Sequence, residues 1–213
     1  MPSTLVSITY NHYNQQSQLM KILRIDSSAR YENSVSRQLV DELIEKLQKD
    51  SDTEVATRDV AKGLPFVDEP MVVAYNTPEE DRTPEQKEIL ELSNQLVSEL
   101  QSADVIVMGV PIYNFSVPAA LKAYIDLVAR AGLTFEYSSQ GPKGLLRDRK
   151  TYIIITSGGT PVGSEIDYTS GYLKHFFSFL GITDVEIIAA DSLSRTGSDK
   201  LTQVRQQILS NVA

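Results

Sequence analysis

Four serines stand within ten residues in the stretch SSARYENSVS (27–36), directly after the short apolar run KILRID (21–26). Hydroxyls at that density, leading into a helix, suit an anion. The opening N–H groups of a helix have no intrahelical acceptor, and its dipole favours negative charge there. One serine at such a place is ordinarily an N-cap, and Ser34 alone reads that way. Ser28, Ser34 and Ser36 together, with the backbone of Val35 between the last two, form a candidate phosphate cradle. The stretch lacks the Gly-rich run and the lysine of a nucleotide P-loop. A phosphate monoester on a small cofactor therefore fits better than a triphosphate with magnesium.

Two other loops carry chemistry of a different kind. PIYNF (111–115) places Ile112, Tyr113, Asn114 and Phe115 where a buried strand ends and a helix begins. Such rings most often finish a core. In a loop, flanking a carboxamide, they offer a flat surface with a hydrogen-bonding handle, which suits a planar aromatic ligand or one edge of an isoalloxazine. TSGGTPVG (156–163) contains Ser157, Gly158, Gly159 and Thr160. A glycine pair usually marks a tight turn, but it also lets a ligand approach the backbone and receive its N–H groups.

Other reactive side chains are scarce. The chain has no cysteine and two histidines, His12 and His175, so thiol chemistry, a Ser-His-Asp triad and a His-based metal site all lack their parts. The acidic run Glu79, Glu80, Asp81 reads as a solvated loop. If the protein is an enzyme, a cofactor must carry the reaction.

The elements that position these loops follow from periodicity. Strands are expected at 21–26, 53–60, 104–110, 151–159 and 185–193, and helices at 34–48, from 83, at 117–130, 167–180 and 198–211. TPEQ (83–86) has the pattern of a capping box with proline at the first helical position. Ile89, Leu92, Leu96 and Leu100 would form its apolar face. Ser116 is expected to cap the next helix, which is apolar almost all round and so has surface to offer a second subunit. Residues 61–82 read as a flexible excursion, and TFEYSSQGPKGLL (134–146) as a small hairpin or lid.

Five strands interleaved with helices predict an α/β fold: a flavodoxin-like, doubly wound parallel sheet in the order 2-1-3-4-5. Ligands in such sheets sit beyond the carboxyl ends of the strands, near the switch between strands 1 and 3. The three loops above lie there.

Bulk properties narrow the classes further. The 213 residues are 41% hydrophobic and 23% charged, with a formal net charge of −8. So acidic a chain repels phosphate backbones and anionic lipid, which argues against nucleic-acid and membrane partners. No apolar run is long enough for a membrane span. Residues 1–20 are polar, rich in Asn and Gln, and lack the basic start and apolar stretch of a signal peptide. They read as a loosely ordered extension before a single domain at 21–213, and the protein as cytoplasmic.

The segments SSARYENSVSRQL, PIYNFSVPAALKAYIDLVARAGLTF and GITDVEIIAADSL resemble the FMN-dependent NADH-azoreductase family of flavodoxin-like quinone and azo-dye reductases. The resemblance covers nearly the whole chain from Met20. It implies that Ser28, Ser34, Val35 and Ser36 hold the FMN phosphate, and that Ile112, Tyr113, Asn114 and Phe115 line the isoalloxazine with N–H groups at the ring edge. Ser157, Gly158, Gly159 and Thr160 would meet the pyrimidine side. The family pattern there is Ser-Arg-Gly-Gly, whereas this chain reads SGGT, without the arginine.

The resemblance also implies a ping-pong cycle in which NADH reduces tightly bound FMN, one per subunit, and a quinone or azo compound takes two electrons. NADPH as donor is left open. It implies a homodimer with sites at the subunit interface, and Tyr137 and Phe179 as substrate-side rings. The alternatives are a flavodoxin-type electron carrier with no small-molecule substrate, and a flavin-free α/β hydrolase or regulatory domain.

Overall fold

Seven consecutive residues, Val105–Pro111, are buried without exception, which only a strand covered on both faces requires. This is β3, the centre of a five-stranded sheet in a computed structural model that describes residues 19–211. The other strands of that sheet are β1 (Met20–Asp26), β2 (Thr53–Asp59), β6 (Thr151–Thr156) and β7 (Val185–Ala190). Their order is β2-β1-β3-β6-β7, and every neighbouring pair is parallel. That is the expected flavodoxin-like arrangement. Apart from Leu19 and Met20, which begins β1, the expected extension lies outside the described residues.

The helices are α1 (Val35–Asp50), α2 (Glu69–Asn76), α3 (Pro84–Ser102), α4 (Ala119–Val128), α5 (Ser170–Leu180) and α6 (Leu193–Asn211). Two apolar cores flank the sheet. One, built on Leu39, Leu43, Val107 and Ile154, lies under α1 and α6; the other, built on Leu96, Met108, Leu121 and Phe177, lies under α3, α4 and α5. Gly109 brings β3 close to α1: a Cβ there would stand 3.0 Å from Val40 Cγ2 and 3.4 Å from the Ser36 carbonyl.

Several local expectations change. The excursion at 61–82 contains α2, capped by Asp68 accepting from Met71 N at 3.0 Å, with Met71 and Ala74 buried. Two buried residues in eight are too few to announce a helix by periodicity. In α3 the capping box is present, but Leu90, Ser93, Leu96, Val97 and Leu100 form the buried face, while Ile89 and Leu92 are half-buried. Ser116 does not cap α4; Pro118 occupies that position and makes no side-chain cap bond. The apolar excess of α4 is taken up within its own chain, where Leu121, Ala123, Tyr124, Ile125, Leu127 and Val128 are all buried. Helix α6 begins five residues before the expected start and kinks at Gly197 (φ 46°, ψ −124°).

Residues 134–146 do form a hairpin, β4 (Phe135–Ser138) with β5 (Gly141–Gly144), outside the main sheet. It packs on the far end of α5: Leu146 N donates to Leu180 O at 2.9 Å, and a Cβ at Gly144 would lie 2.1 Å from Gly181 N. The hairpin therefore sits at the amino edge of the sheet, opposite the edge where ligands are expected.

Candidate functional site at the carboxyl edge of the sheet

At the end of β1, Ser27 is tied to β3: its N–H and its hydroxyl both donate to Gly109 O, at 3.2 and 2.8 Å. The chain then swings out through residues 29–33, all exposed, and returns at Ser34. Ser34 caps α1, accepting from Arg37 N at 3.5 Å, and its Oγ lies 3.2 Å from Ser36 Oγ. Ser28 Oγ accepts from Arg30 N at 3.2 Å, which leaves its proton to donate. Val35 and Ser36 hold the first two positions of the helix, so their N–H groups have no intrahelical acceptor. Three hydroxyls and two peptide N–H groups thus converge on one cleft of about 340 Å³.

The second wall is the aromatic loop. Tyr113 N donates to Ser116 O at 3.0 Å and Ser116 N to Tyr113 O at 3.2 Å, closing a two-residue turn. Its central residues, Asn114 and Phe115, both have positive φ, 48° and 71°. Such a turn favours Asn or Gly at each centre. Asn114 conforms, while a phenylalanine at positive φ costs about 1–2 kcal/mol. The Phe115 ring is half-exposed, and its carbonyl accepts from Tyr168 N at 3.1 Å, which helps to sustain the turn. Tyr113 joins this wall to the first loop, its hydroxyl accepting from Ala29 N at 3.2 Å. The N–H groups of Ile112 and Tyr113 are engaged, by Thr156 O at 2.8 Å and by Ser116 O. Those of Asn114 and Phe115 have no partner among the described residues.

The third loop is held by its own serine. Ser157 Oγ donates to Thr160 O and accepts from Ser192 N at 3.1 Å, lacing the ends of β6 and β7 together. Ser157 and Gly158 line the cleft; Gly159 is exposed and Thr160 buried, and neither lines it. Of the residues singled out in the sequence, Ser28, Ser34, Val35, Ser36, Ile112, Tyr113, Ser157 and Gly158 thus share one cleft. Sequence reasoning missed Arg30, Thr156, Leu193 and Ser194, which also line it. Arg30 lay within the quoted loop. Ser194 arrives only because α6 folds back, its N–H donating to Gly158 O at 2.9 Å.

The electrostatics favour an anion in spite of the acidic chain. The lining contains no carboxylate and no imidazole, and its one charged side chain is Arg30. Tyr113 also opens onto a second, larger groove of about 910 Å³ that includes Asn114, Val117, Lys122, Tyr168 and Tyr172. A phosphate monoester joined to a planar ring matches these neighbouring surfaces: hydroxyl and amide donors on one side, tyrosines on the other. Among the described residues, no group of side chains forms a metal site, and no helix is long and apolar enough to cross a membrane.

Comparison with known proteins agrees. Residues 20–212 match a family model described as a flavodoxin-like fold. The chain is 49% identical over 190 residues to an FMN-dependent NADH:quinone oxidoreductase of Erythrobacter litoralis, covering 88% of this chain and 96% of the relative. It is 50% identical over 189 residues to such an oxidoreductase of Colwellia psychrerythraea, covering 89% and 98%. The chain belongs to the FMN-dependent NADH:quinone oxidoreductase and azoreductase family. A solved FMN-dependent NADH-azoreductase of Bacillus anthracis, in complex with FMN, superposes with a TM-score of 0.81 at 25% identity, covering 90% of this chain and 97% of that one.

Two residues that the family resemblance pointed to stand apart from the cleft. Phe179 packs on Phe135 with centroids 4.5 Å apart, and Tyr137 meets Phe135 edge-on at 5.4 Å. Tyr137 is 77% exposed. Helix α5 starts near the aromatic turn and runs eleven residues toward the amino edge, about 16 Å at 1.5 Å per residue. Phe179 is at its far end, and neither ring lines the cleft or the groove.

Proposed function

We propose that this protein catalyses NADH-dependent reduction of quinones and aromatic azo compounds through tightly bound FMN, one per subunit. The observation that carries the reading is a cleft free of carboxylates, with three serine hydroxyls on the loop and first turn leading into α1 on one side and Ile112 and Tyr113, which lead into the strained aromatic turn, on the other. When bound, FMN supplies two-electron redox chemistry, taking hydride from NADH and giving electrons to the acceptor. Ser28, Ser34 and Ser36, with the N–H groups of Val35 and Ser36, would hold the phosphate. The unpaired N–H groups of Asn114 and Phe115 would be available to the ring edge, and Gly158 would let the backbone come close. The cleft lining offers no carboxylate or imidazole for proton transfer, so solvent would supply the protons there. Residues 21–213, with Met20 at the head of β1, act as one domain, in the cytoplasm.

The active form in this reading is a homodimer. The rings of Tyr137 and Phe179 lie at the amino edge of their own chain, so they reach an acceptor only over the cleft of a second copy. The electron-carrier alternative is disfavoured by the 910 Å³ groove beside the cleft, since a carrier has no use for a substrate-sized space there. The test is anaerobic titration of the purified yellow protein with NADH, followed by addition of a quinone. Stoichiometric bleaching by NADH and full recovery of colour with quinone are expected. Colourless protein that takes up no FMN, or flavin that NADH fails to reduce, would overturn the reading.

A further inference from the structure

Arg37 stands in the first turn of α1 but is not part of the cleft lining. Its Nη2 donates to Ser28 O at 2.7 Å and its Nε to Arg30 O at 3.1 Å. The same guanidinium makes a two-pronged pair with Asp59 at the end of β2, at 2.9 and 3.2 Å, and lies 3.4 Å from Asp26 at the end of β1. The Tyr31 ring covers it at 4.6 Å. Arg37 therefore grips Ser28, Arg30 and Tyr31 of a loop whose middle residues are otherwise exposed, and anchors them to two strand ends.

We propose that Arg37 is a positioning residue for the FMN phosphate, fixing the 28–31 loop so that Ser28 and Arg30 face the cleft. The inference rests on the FMN reading above. In a trans peptide the N–H points opposite to the C=O. Holding the carbonyls of Ser28 and Arg30 on the Arg37 side thus turns the N–H groups of Ala29 and Tyr31 away from it. Ala29 N–H reaches the Tyr113 hydroxyl at 3.2 Å, so the strut extends to the aromatic wall. Two carboxylates face the Arg37 guanidinium, so its contribution to phosphate binding is geometric and not a matter of net charge. Lysine cannot replace it, because one ammonium cannot span two carbonyls and a carboxylate in fixed directions.

The test strips flavin from the full-length protein and measures dissociation constants for FMN and for riboflavin, which lacks the phosphate, by flavin fluorescence. In Arg37→Met the FMN constant is expected to rise about tenfold or more, the worth of one or two charge-assisted hydrogen bonds, while the riboflavin constant stays nearly constant. The double variant Arg37→Met/Asp59→Asn restores the charge balance and is expected to leave FMN binding weak. Recovery in that double variant would overturn the proposal in favour of simple electrostatics. An equal loss for both flavins, or no loss for either, would overturn it too. If Arg37→Met fails to fold, Arg37→Lys keeps the charge and still loses the fork; its FMN-to-riboflavin preference is expected to fall, and an unchanged preference counts against the proposal. Wild-type protein that holds riboflavin as tightly as FMN would instead defeat the phosphate site itself.

Discussion

Ser28 and Ser157 stand on two loops at the same edge of one sheet, both nearly buried, and both line the same cleft. Ser28 Oγ accepts one hydrogen bond from within its own loop and keeps its proton. Ser157 Oγ is engaged on both sides, by Thr160 O and Ser192 N. The first hydroxyl keeps a proton to give, and the second has both its partners within the protein. Position at the carboxyl edge brings a hydroxyl to the site, and its internal partners decide what it does there.

The strongest way to break this contrast is Ser36→Asp. A carboxylate suits the first turn of a helix, but Ser36 is buried and the charge loses hydration there, so the melting temperature of the flavin-free protein should hold or fall modestly. The same charge opposes a phosphate, and FMN affinity should drop about a hundredfold or more, as read by fluorescence titration. Undiminished FMN binding would remove the first loop from the site.

The serines themselves come next. Ser28→Ala should weaken FMN by about tenfold with little change in thermal stability, whereas Ser157→Ala should cost about 1–3 kcal/mol of stability by orphaning two buried groups. The FMN-to-riboflavin preference should move in the first variant and stay put in the second. The opposite assignment would mean that Ser157 is the ligand-binding serine.

Phe115→Gly tests the strained wall. Relief of a positive φ, less the entropy glycine loses on folding, should stabilise the flavin-free protein by about 0.5–1 kcal/mol in thermal denaturation. A loss of stability would show that the ring's packing outweighs its backbone strain.

The amino edge supplies the smallest effect. Asp148 accepts from Thr183 Oγ1 at 2.5 Å and from the N–H groups of Thr183 and Asp184 at 2.8 and 3.1 Å. Those bonds pull its pKa from 3.8 down to about 2. A depressed carboxylate contributes stability above its unfolded pKa, and that contribution fades as pH falls from about 4 to about 2. Asp148→Asn should flatten this part of the acid limb in pH-dependent unfolding, with no change in flavin binding. An unaltered acid limb would show that these bonds do not persist in solution.

The sheet order was legible because β3 and β6 are nearly continuous apolar runs and the helices between them keep their periods. The TPEQ cap was legible because two side chains and a proline repeat a local pattern. Helix α2 was not, since its buried face is only Met71 and Ala74. The serine cluster announced the first loop, yet Arg30 was passed over although it lies inside it. Ser116 looked like a cap and instead closes the turn with Tyr113, a pairing set by the backbone of Asn114 and Phe115. Ser194 reaches the cleft through the fold of α6, which no short motif encodes.

Amide hydrogen exchange of the flavin-free and FMN-loaded protein tests the central claim most directly. Slower exchange is predicted at residues 28–36, above all at Val35 and Ser36, and to a lesser degree at 114–115. Unchanged exchange across 28–36 on FMN binding would contradict the placement of the phosphate at this edge of the sheet.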